Sequence, residues 1–254
     1  MSETQEQLVT RQFGPRAAEY LASAVHASGE DLQQLAALVE GTKTARLLDL
    51  GCGAGHVAFA VAPAVAEVVA YDLSADMLAV VAESAKARGL RNLVTQQGGV
   101  ERLPFPDASF DVVMSRFSAH HWRSFSAGLA EARRVLKPGG RAAFVDCVAP
   151  DSAVSDSFLQ AVELLRDTSH VRDYSSAEWQ RALTAAGFRP GAVTHRRLRL
   201  DFASWVARMR TPPLFVEAIR ALQQQMVADV TDHFAIEADG SFTIDCMTVE
   251  ATPA

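Results

Sequence analysis

The sequence predicts an α/β protein built on a doubly wound, mostly parallel sheet, and three observations support this fold class. Between Ala45 and Val148, short apolar runs alternate with segments of helical periodicity, which is the pattern of parallel strands joined by right-handed crossovers. The first run, Leu47 to Leu50, passes directly into a glycine-rich turn. An acidic residue, Asp72, follows the second run. Because ligands of such sheets bind beyond the carboxyl ends of the strands, both features indicate a binding site there.

The elements of this core follow from the periodicity in chain order. Strands are predicted at 46–50, 67–71, 93–97, 110–115 and 141–148, and helices at 56–65, 75–88 and 124–135. The segment 98–107 has no regular period and is expected to form a loop at the same carboxyl edge. The residues K-P-G-G at 137–140 predict a turn that sets up the fifth strand.

The flanking segments are predicted to be mostly helical. Residues 4–40 show two apolar stripes at helical spacing, divided near Ser28 and Gly29, and the first stripe runs from Phe13 to Ala24. After residue 150, helices are predicted at 154–168, 177–186, 202–210 and 213–233, and strands at 192–202 and 242–249. The helices between the last two strands exceed what the sheet needs, so we expect them to cover a substrate pocket.

Composition excludes several classes of protein. At 254 residues the chain is long enough for one large domain with a substantial core, and its net charge of −6 is unlike that of a general nucleic-acid binder. The three cysteines, Cys52, Cys147 and Cys246, are widely separated, which argues against a disulfide framework or a zinc site and favours a reducing cytoplasm. The polar amino terminus is not a signal peptide, and the most apolar stretch, 57–71, is interrupted by a proline and a glutamate, so no membrane span is expected.

The glycine-rich turn indicates a ligand that lies against the backbone. Gly51, Gly53 and Gly55 stand at alternate positions, where the lack of Cβ permits positive φ and close approach to N–H groups at a helix start. A tight turn with no ligand is the alternative. The dinucleotide fingerprint G-x-G-x-x-G requires a third glycine where this chain has His56. Asp49 would sit poorly beside a phosphate but suits an ammonium group, so a ligand with an amino acid tail fits better than a pyrophosphate.

Asp72 is the second anchor of the predicted site. It lies 21 residues after Gly51, the spacing at which an acidic residue at the tip of a second strand reaches ribose hydroxyls. Alternatively, Asp72 and Ser74 could simply cap the helix at 75–88. Since Ser74 is the better capping residue, Asp72 is left for the ribose role.

Four motifs in order, LLDLGCGAG, YDLSADML, LPFPDASFDVVMSRFSAHHW and RRVLKPGG, resemble those of the class I S-adenosylmethionine-dependent methyltransferases. The similarity is to the type 11 branch, which contains the ubiquinone/menaquinone C-methyltransferases. The phrases QFGPRAAEYLASAVHASGEDL, LLRDTSHVRDYSSAEW and FASWVARMRTP extend it to the YafE-like members, so the resemblance covers nearly the whole chain.

The resemblance implies a Rossmann-like sheet of seven mostly parallel strands with an antiparallel last strand. Residues 1–44 would form lid helices, 45–149 the cofactor-binding core, and 150–254 cover helices and terminal strands that complete the same sheet. The cofactor would be S-adenosylmethionine, with S-adenosylhomocysteine as product and no metal. The partner would be a small-molecule methyl acceptor, with no nucleic acid and no membrane span, and the protein a cytoplasmic monomer or homodimer.

The resemblance also assigns cofactor contacts. Glycines of the turn would approach the methionine moiety, the acid before the turn its amino end, Asp72 both ribose hydroxyls, and the backbone N–H of Val100 a ring nitrogen of adenine. The cofactor-binding residues are predicted to be Asp49, Gly51, Gly53, Asp72, Leu73, Met77, Gly99, Val100, Glu101 and Ser115. At Gly99 many relatives carry an aspartate, so Glu101 or a water is expected to replace that contact with the exocyclic amine.

The segment SRFSAHHW is the candidate for acceptor chemistry. Histidine titrates near neutrality, so His120 or His121 is a candidate base for a phenol, enol or ring nitrogen. Adjacent side chains are expected to point apart, so one acts at most, and His120 is preferred. Alternatively, one histidine packs and bonds a carbonyl while Trp122 fills the core. A metal is not expected, because no third ligand stands nearby in the sequence.

The remaining acceptor-binding candidates come from the lid and the cover. An arginine fork facing a pocket would recognise a carboxylate, phosphate or electron-rich carbonyl, although a solvated helix face is the alternative. The predicted acceptor-binding residues are Phe13, Tyr20, Trp122, Arg172, Tyr174, Arg208 and Arg210.

The sequence therefore predicts a methyltransferase that acts on a small, planar aromatic or quinone-like metabolite by in-line displacement. The acceptor atom, carbon, oxygen or nitrogen, is left open, and N-methylation of a heteroaromatic secondary metabolite is one alternative. An NAD-dependent oxidoreductase and a non-catalytic cofactor-binding module are the others.

Overall fold

The computed structural model describes residues 3–21 and 28–254 and contains one seven-stranded sheet. The strands are β1 (Arg46–Leu50), β2 (Glu67–Asp72), β3 (Leu93–Gln97), β4 (Phe110–Arg116), β5 (Leu136–Val148), β6 (Phe188–Leu200) and β7 (Phe242–Pro253). Their order across the sheet is β3-β2-β1-β4-β5-β7-β6. The first five strands are parallel, and β7 runs antiparallel to both β5 and β6, which confirms the predicted fold class.

Helices flank the sheet on both faces and extend over one end of it. In the described ranges they are α1 (Gln5–Phe13), α2 (Ala17–Leu21), α3 (Glu30–Ala37), α4 (His56–Val61), α5 (Ala75–Ala87), α6 (Phe125–Val135), α7 (Ala153–Arg166), α8 (Ser176–Ala185), α9 (Phe202–Met209), α10 (Pro213–Gln225) and α11 (Ala228–His233). Short 3₁₀ turns occupy Gly14–Arg16, Ala62–Ala64 and Ala119–His121. None of the helices in these ranges is long and apolar enough to cross a membrane.

Several predicted boundaries move for identifiable reasons. The helix predicted at 56–65 ends at Val61, because Pro63 has no N–H to continue it and a 3₁₀ turn follows. The segment predicted as helical at 213–233 is divided into α10 and α11. The predicted K-P-G-G turn lies inside β5, where Gly139 has φ 80° and the pairing with β4 shifts register.

The terminal elements also differ from the prediction. Strand β6 begins at Phe188 rather than 192, and β7 continues to Pro253 rather than 249. The amino-terminal helical stripe is interrupted by the turn at Gly14–Arg16, which contains a proline at its first turn. Helix α3 begins directly after Gly29, as the predicted division required, whereas Ala24 lies outside the described residues.

The two faces of the sheet carry separate apolar cores because side chains alternate along each strand. Leu48 and Val113 pack on one face with side chains of α6 and α8, whereas Leu47 and Val112 pack on the other with side chains of α3, α4 and α5. A third cluster joins β6 and β7 to the carboxyl-terminal helices; it contains Phe158, Trp205, Ile219, Phe234 and Phe242. The carboxyl-terminal helices thus share a core with the sheet.

The strand order places a crevice at the carboxyl ends of β1 and β4. The chain proceeds from β1 outward to the edge strand β3 and then crosses back to β4 on the other side of β1. At such a switch point the loops after neighbouring strands diverge and leave room for a ligand. The glycine turn after β1, Asp72 at the end of β2 and the SRFSAHHW segment after β4 therefore lie around one crevice.

We expect Gly128→Ala to destabilise the fold even though this exchange usually stabilises a helix interior by roughly 0.5–1 kcal/mol. A Cβ on Gly128 in α6 would lie 2.4 Å from Cε3 of the buried Trp122. Overpacking of this kind costs about 1–3 kcal/mol, so a net loss of unfolding free energy should appear in urea denaturation. Stability equal to or above that of the wild type would contradict this packing.

Candidate active site

A cleft lies at the carboxyl ends of β1 and β2. Nine of the ten residues predicted to bind the cofactor line it: Asp49, Gly51, Gly53, Asp72, Leu73, Met77, Gly99, Val100 and Glu101. Ser115 is the exception, since it is buried and its hydroxyl does not line the cleft. We call this space the first cavity.

The glycine turn has the conformation that its sequence predicts, and its glycines serve different purposes. Gly51, Gly53 and Gly55 have φ values of 71°, 50° and 86°, where side chains with a Cβ are strained. A Cβ on Gly51 would lie 1.9 Å from Oγ of Ser118, whereas a Cβ on Gly53 would meet nothing within 4 Å. Gly51 is thus required for packing, and Gly53 leaves its side of the turn open to the first cavity.

Asp72 holds the glycine turn rather than capping α5. Its Oδ2 accepts a hydrogen bond from the N–H of Gly53 at 2.8 Å, and its Oδ1 accepts one from the N–H of Ser74 at 2.8 Å. The cap of α5 is Ser74, whose Oγ accepts from the N–H of Met77 at 3.3 Å. Burial raises the pKa of Asp72, and these backbone bonds oppose the rise. Each carboxylate oxygen has a second lone pair, so both can still accept a ribose hydroxyl.

Asp49 presents one unmatched acceptor at the base of the first cavity. Its Oδ2 accepts from the N–H of Ala58 at 3.0 Å, while its buried Oδ1 has no hydrogen-bond partner in the described part of the chain. Burial raises the pKa of Asp49 to about 7, and the neighbouring Asp72 raises it further while the Ala58 N–H and Arg116 oppose the rise. The ammonium group of a methionine tail would supply the missing donor and favour the ionised form.

We expect cofactor affinity to depend on the ionisation of Asp49. The pKa of Asp49 is near 7 in the folded state, against an ordinary value of 3.8. Between these pH values the folded state holds a proton that the unfolded state has released. The contribution of Asp49 to stability therefore falls as pH rises from about 4 through 7. The ionised form that attracts an ammonium increases over the upper part of this range. Calorimetric titration should show roughly tenfold weaker S-adenosylhomocysteine binding at pH 6 than at pH 8, the ratio of ionised fractions. The variant Asp49→Asn should flatten this dependence, and an unchanged pH profile would contradict the assignment.

The far end of the first cavity is suited to a flat, apolar ring. Met77 packs in a small buried cluster with Ala17 and Ala54, and Val100 lies on the opposite loop. Gly99 departs from the aspartate of many relatives, and a Cβ there would lie 3.4 Å from Oε2 of Glu101 and 3.5 Å from Oε1 of Glu6. Two carboxylates thus already lie where the aspartate of relatives would project, and sequence reasoning anticipated only Glu101.

The amino-terminal helices line the first cavity. Its wall includes Gln5, Glu6, Val9 and Phe13 of α1 and Tyr20 of α2. Nε2 of Gln5 donates to the carbonyl of Ser169 at 2.7 Å, which fastens α1 to the loop after α7. Nε2 of His56 lies 3.0 Å from the carbonyl oxygen of Tyr20, which ties α2 to the helix after the glycine turn.

Arg116 is a cavity residue that sequence reasoning missed. It ends β4, lines the first cavity, and its Nε lies 2.5 Å from Oδ2 of Asp31 in α3. Both side chains are largely buried, and the guanidinium lies over the ring of Phe117 at 4.8 Å. Its position inside the SRFSAHHW segment was visible in the sequence, but the partner from α3 was not.

A second, smaller cavity adjoins the first. The two share four wall residues, Phe13, Tyr20, Phe117 and His121. The rest of the second wall combines apolar side chains of β6, β7 and α9 with Cys147 of β5 and polar side chains of α7, α9 and loops. The apolar ones are Leu198, Leu200, Trp205 and Ile244, and the polar ones are His120, Glu163, Arg166, Asp173 and Arg208. The second cavity is therefore apolar on one side and charged on the other.

His120 and His121 have opposite electrostatic surroundings. Burial lowers the pKa of His120, but the carboxylate of Asp146, with Oδ1 at 2.5 Å from Nδ1, outweighs it and raises the pKa to about 9. Burial and the neighbouring His120 lower the pKa of His121 to about 4. At neutral pH His120 is charged and His121 is a weak base, so neither environment favours proton acceptance there, and the base role stays a prediction.

The expectation that the adjacent histidines point apart is wrong. Their ring centroids are 4.3 Å apart, and that of His170 lies 5.8 Å from His120. The reason is local, because successive side chains of the 3₁₀ turn Ala119–His121 are separated by about 120° instead of the roughly 180° of an extended segment, which lets neighbouring rings approach each other. Both histidines line the second cavity.

The other acceptor-binding candidates divide into those on a cavity wall and those elsewhere. Phe13, Tyr20, Trp122 and Arg208 lie on cavity walls. Arg172 instead pairs with Asp156 at 3.0 Å, and Arg210 forms an exposed ion pair with Glu19 at 2.6 Å. Tyr174 stacks on Phe125 with ring centroids 4.0 Å apart. These three side chains are therefore not on either cavity wall, and their role in acceptor binding stays a prediction.

Trp122 was interpreted from the sequence either as a core residue or as an acceptor-binding residue, and in the structure it both packs in the core and lines a cavity. It is almost fully buried, and its Nε1 donates to Oγ of Ser118 at 3.1 Å. It also lines the first cavity rather than the second. The indole thus packs in the core while its N–H holds the hydroxyl of Ser118 beside Gly51.

The sheet order, the turn held by Asp72 and the unmatched oxygen of Asp49 are the features of a class of enzyme that binds a nucleoside with an amino acid tail. A methyltransferase domain model matches residues 48–144. The chain is 50% identical to the uncharacterized protein YafE of Escherichia coli over 204 residues, which are 80% of this chain and 99% of that protein. It therefore belongs to the type 11 branch of the class I S-adenosylmethionine-dependent methyltransferases.

Further similarities to known proteins are consistent with this membership. The chain is 36% identical to the uncharacterized methyltransferase YcgJ of Bacillus subtilis over 232 residues, which cover 91% of this chain and 88% of that protein. The crystal structure of YcgJ matches with a TM-score of 0.85 at 32% identity and covers 89% of this chain and 99% of that chain. The demethylmenaquinone methyltransferase of Geobacillus kaustophilus is 43% identical over 101 residues, but this covers only 39% of this chain and 43% of that protein.

Proposed function

We propose that the second cavity binds the methyl acceptor, a small planar molecule with an apolar ring and one polar end. The observation that carries this proposal is the shared wall of Phe13, Tyr20, Phe117 and His121 between the two cavities. A methionine tail that reaches Asp49 and Gly53 would end beside this wall. An acceptor on the other side could then approach the methyl group in line.

The chain's main contribution to such a transfer is alignment and exclusion of water. The donor sulfonium is already activated when bound, so no catalytic group shared by all acceptors is required. Phe13 and Tyr20, with ring centroids 5.5 Å apart, pack over the junction of the cavities and shield it from solvent. In this proposal residues 1–44 act as the lid, 45–149 as the cofactor core, and the helices of 150–254 as the cover.

The charged side of the second cavity suggests what the polar end of the acceptor is. Arg166 is fixed by a hydrogen bond from its Nε to the carbonyl of Trp205 at 3.1 Å and lies over that indole ring. Arg208 lines the same wall. Burial lowers the pKa of Arg208 most, and the positive charge of Arg166 lowers it further. Arg166 also pairs with Oε2 of Glu163 at 3.5 Å. Two guanidinium groups on this wall favour an anionic or electron-rich oxygen of the acceptor. A phenolate, quinol or carboxylate fits this description.

The alternatives are distinguished by the first cavity and by the relatives. A demethylmenaquinone methyltransferase is similar over part of the chain, which favours a quinone-like acceptor. The second cavity is also compatible with an acceptor that carries a heteroaromatic nitrogen. An oxidoreductase using a dinucleotide is disfavoured, because a pyrophosphate beside the buried Asp49 would be repelled. A cofactor-binding module without turnover would bind S-adenosylhomocysteine but transfer no methyl group.

The experiment that tests this function uses methyl-labelled S-adenosylmethionine and a small-molecule extract. Mass spectrometry of the mixture should show the label on an aromatic or quinone-like metabolite, and this product should be absent when the Asp72→Ala variant replaces the wild type. Transfer of label to macromolecules only would contradict the proposal. Tight cofactor binding with no labelled product would favour the non-catalytic module.

We expect Leu198→Trp to block the acceptor while sparing the cofactor. Leu198 lines the second cavity only, so a larger side chain there fills acceptor space without touching the first cavity. Turnover should fall at least roughly tenfold, about 1.4 kcal/mol of lost transition-state binding, while S-adenosylhomocysteine affinity stays unchanged. The matched control is Val94→Trp, which adds the same side chain at an exposed position of β3. Equal turnover in both variants would remove the second cavity as the acceptor site.

A further inference from the structure

Three donor side chains from distant parts of the sequence meet on the wall of the second cavity. His120 comes from the 3₁₀ turn after β4, Asp146 from β5 and Asp173 from the loop after α7. One ligand atom from each lies within 4.8 Å of the other two. The N–H of Val171 donates to the carbonyl of His120 at 2.8 Å, so the loop that carries Asp173 is fixed against the turn.

The donor set matches the chemistry of a divalent cation. An imidazole and two carboxylates supply one nitrogen and two oxygens, ligands that zinc, manganese and iron(II) accept. The two ionised carboxylates would neutralise a charge of +2. Asp146 and Asp173 are each only 2% exposed, so their oxygens have little access to water that would otherwise solvate them.

An independent observation is the unmatched oxygen of Asp173. Asp146 is well satisfied: Oδ1 accepts from the N–H of Cys147 at 2.9 Å, and Nδ1 of His120 lies 2.5 Å from it. In contrast, Oδ2 of Asp173 is buried without a hydrogen-bond partner in the described ranges, and Nε2 of His170 is 3.9 Å away. A buried carboxylate oxygen without a partner is costly, and this one belongs to a side chain on the cavity wall.

We propose that His120, Asp146 and Asp173 bind one divalent transition-metal ion, with zinc or manganese as the ion of choice. The ion takes the place of the proton shared by Nδ1 of His120 and Asp146, and Asp173 completes three protein ligands. Metal–ligand bonds of about 2.0–2.2 Å put tetrahedral ligand atoms roughly 3.4 Å apart, so the side chains must close from spacings of up to 4.8 Å, and Nδ1 of His120 must separate from Oδ1 of Asp146, now 2.5 Å away. No local motif indicates this set, because its members are separated by at least 26 positions of chain.

The ion would add a role to the acceptor cavity. Its remaining coordination positions would face the space lined by His120 and Asp173, where it would hold an oxygen of the acceptor as a Lewis acid. This role rests on the proposed function, but the existence of the site does not. Cation binding can therefore be tested without any methyl acceptor.

The test is calorimetric titration of the chelator-treated protein with manganese chloride and, separately, zinc chloride. The wild type should bind one equivalent, and Asp173→Asn and Asp146→Asn should each weaken binding tenfold or more. The matched control is Asp151→Asn, an exposed aspartate that should leave binding unchanged. Binding of S-adenosylhomocysteine by each variant shows that its fold is intact. If the wild type binds the metal but not S-adenosylhomocysteine, the result counts against the proposed function and not against the ion site.

Metal binding by two nearby cysteine thiols must be distinguished from binding by His120, Asp146 and Asp173. Sγ of Cys147 lies 4.0 Å from Sγ of Cys246, and Cys147 also lines the second cavity. The variant Cys246→Ser should bind manganese and zinc like the wild type. The proposal is overturned if no saturable binding occurs at millimolar metal, if Asp173→Asn binds as tightly as Asp151→Asn, or if Cys246→Ser alone abolishes binding.

Discussion

We expect Asp72→Ala to weaken the binding of S-adenosylhomocysteine by about 1–3 kcal/mol, or roughly 5- to 150-fold. The carboxylate lies at the tip of β2 on the wall of the first cavity, where both oxygens retain a lone pair for a ribose hydroxyl. The substitution removes these acceptors and also the two bonds that hold the N–H groups of Gly53 and Ser74. Isothermal titration calorimetry of the purified variant measures the loss directly.

The control for this variant is Glu83→Ala, which removes an exposed acid from α5, the helix that follows Asp72. It should leave affinity unchanged. Thermal denaturation without ligand separates a lost contact from a disordered turn, since a folded Asp72→Ala protein with weak binding supports the ribose contact. Wild-type affinity in Asp72→Ala would refute that contact.

The second large effect is expected for Gly51→Ala. The positive φ of 71° costs a residue with a Cβ about 1–2 kcal/mol, and the added atom would lie 1.9 Å from Oγ and 2.8 Å from Cβ of Ser118. Rotation of the serine cannot relieve a contact with its own Cβ, and Oγ is also bonded to Trp122. Overpacking adds about 1–3 kcal/mol, and displacement of the turn should weaken S-adenosylhomocysteine roughly tenfold or more.

Gly41→Ala isolates the steric part of this effect. Gly41 has a similar φ of 78°, but a Cβ there would meet nothing within 4 Å. It should therefore lose only the cost of positive φ and keep full cofactor affinity. If both variants had the same melting temperature and the same affinity, close packing of Ser118 on Gly51 would play no part in the site.

The cofactor side of the site was predictable from sequence because its determinants are local. Apolar periodicity locates β1 and β2, and the glycine turn and Asp72 follow those strands directly. Parallel strands then bring both features to one edge without further information. Nine of the ten residues predicted in this way line the first cavity, and the tenth, Ser115, does not, because a short pattern does not specify which side of β4 it faces.

The acceptor side depends on contacts between distant segments, and sequence reasoning was correspondingly weaker. Glu163, Arg166 and Asp173 reach the second cavity only because α7 and its following loop fold over β5 and the turn after β4. Arg208 faces the second cavity, whereas Arg210, two positions later, lies outside it in an ion pair with Glu19. A helical pattern shows that such residues occupy different faces, but not which face meets the cavity.

The central claim is that the tips of β1 and β2 hold the adenosine and the amino acid tail of one ligand. Co-crystallisation with S-adenosylhomocysteine tests it most directly. The predicted result is a ligand whose ribose hydroxyls donate to Asp72 and whose ammonium donates to Oδ1 of Asp49. A structure at saturating ligand with this cavity vacant, or with the ribose held elsewhere, would contradict the claim.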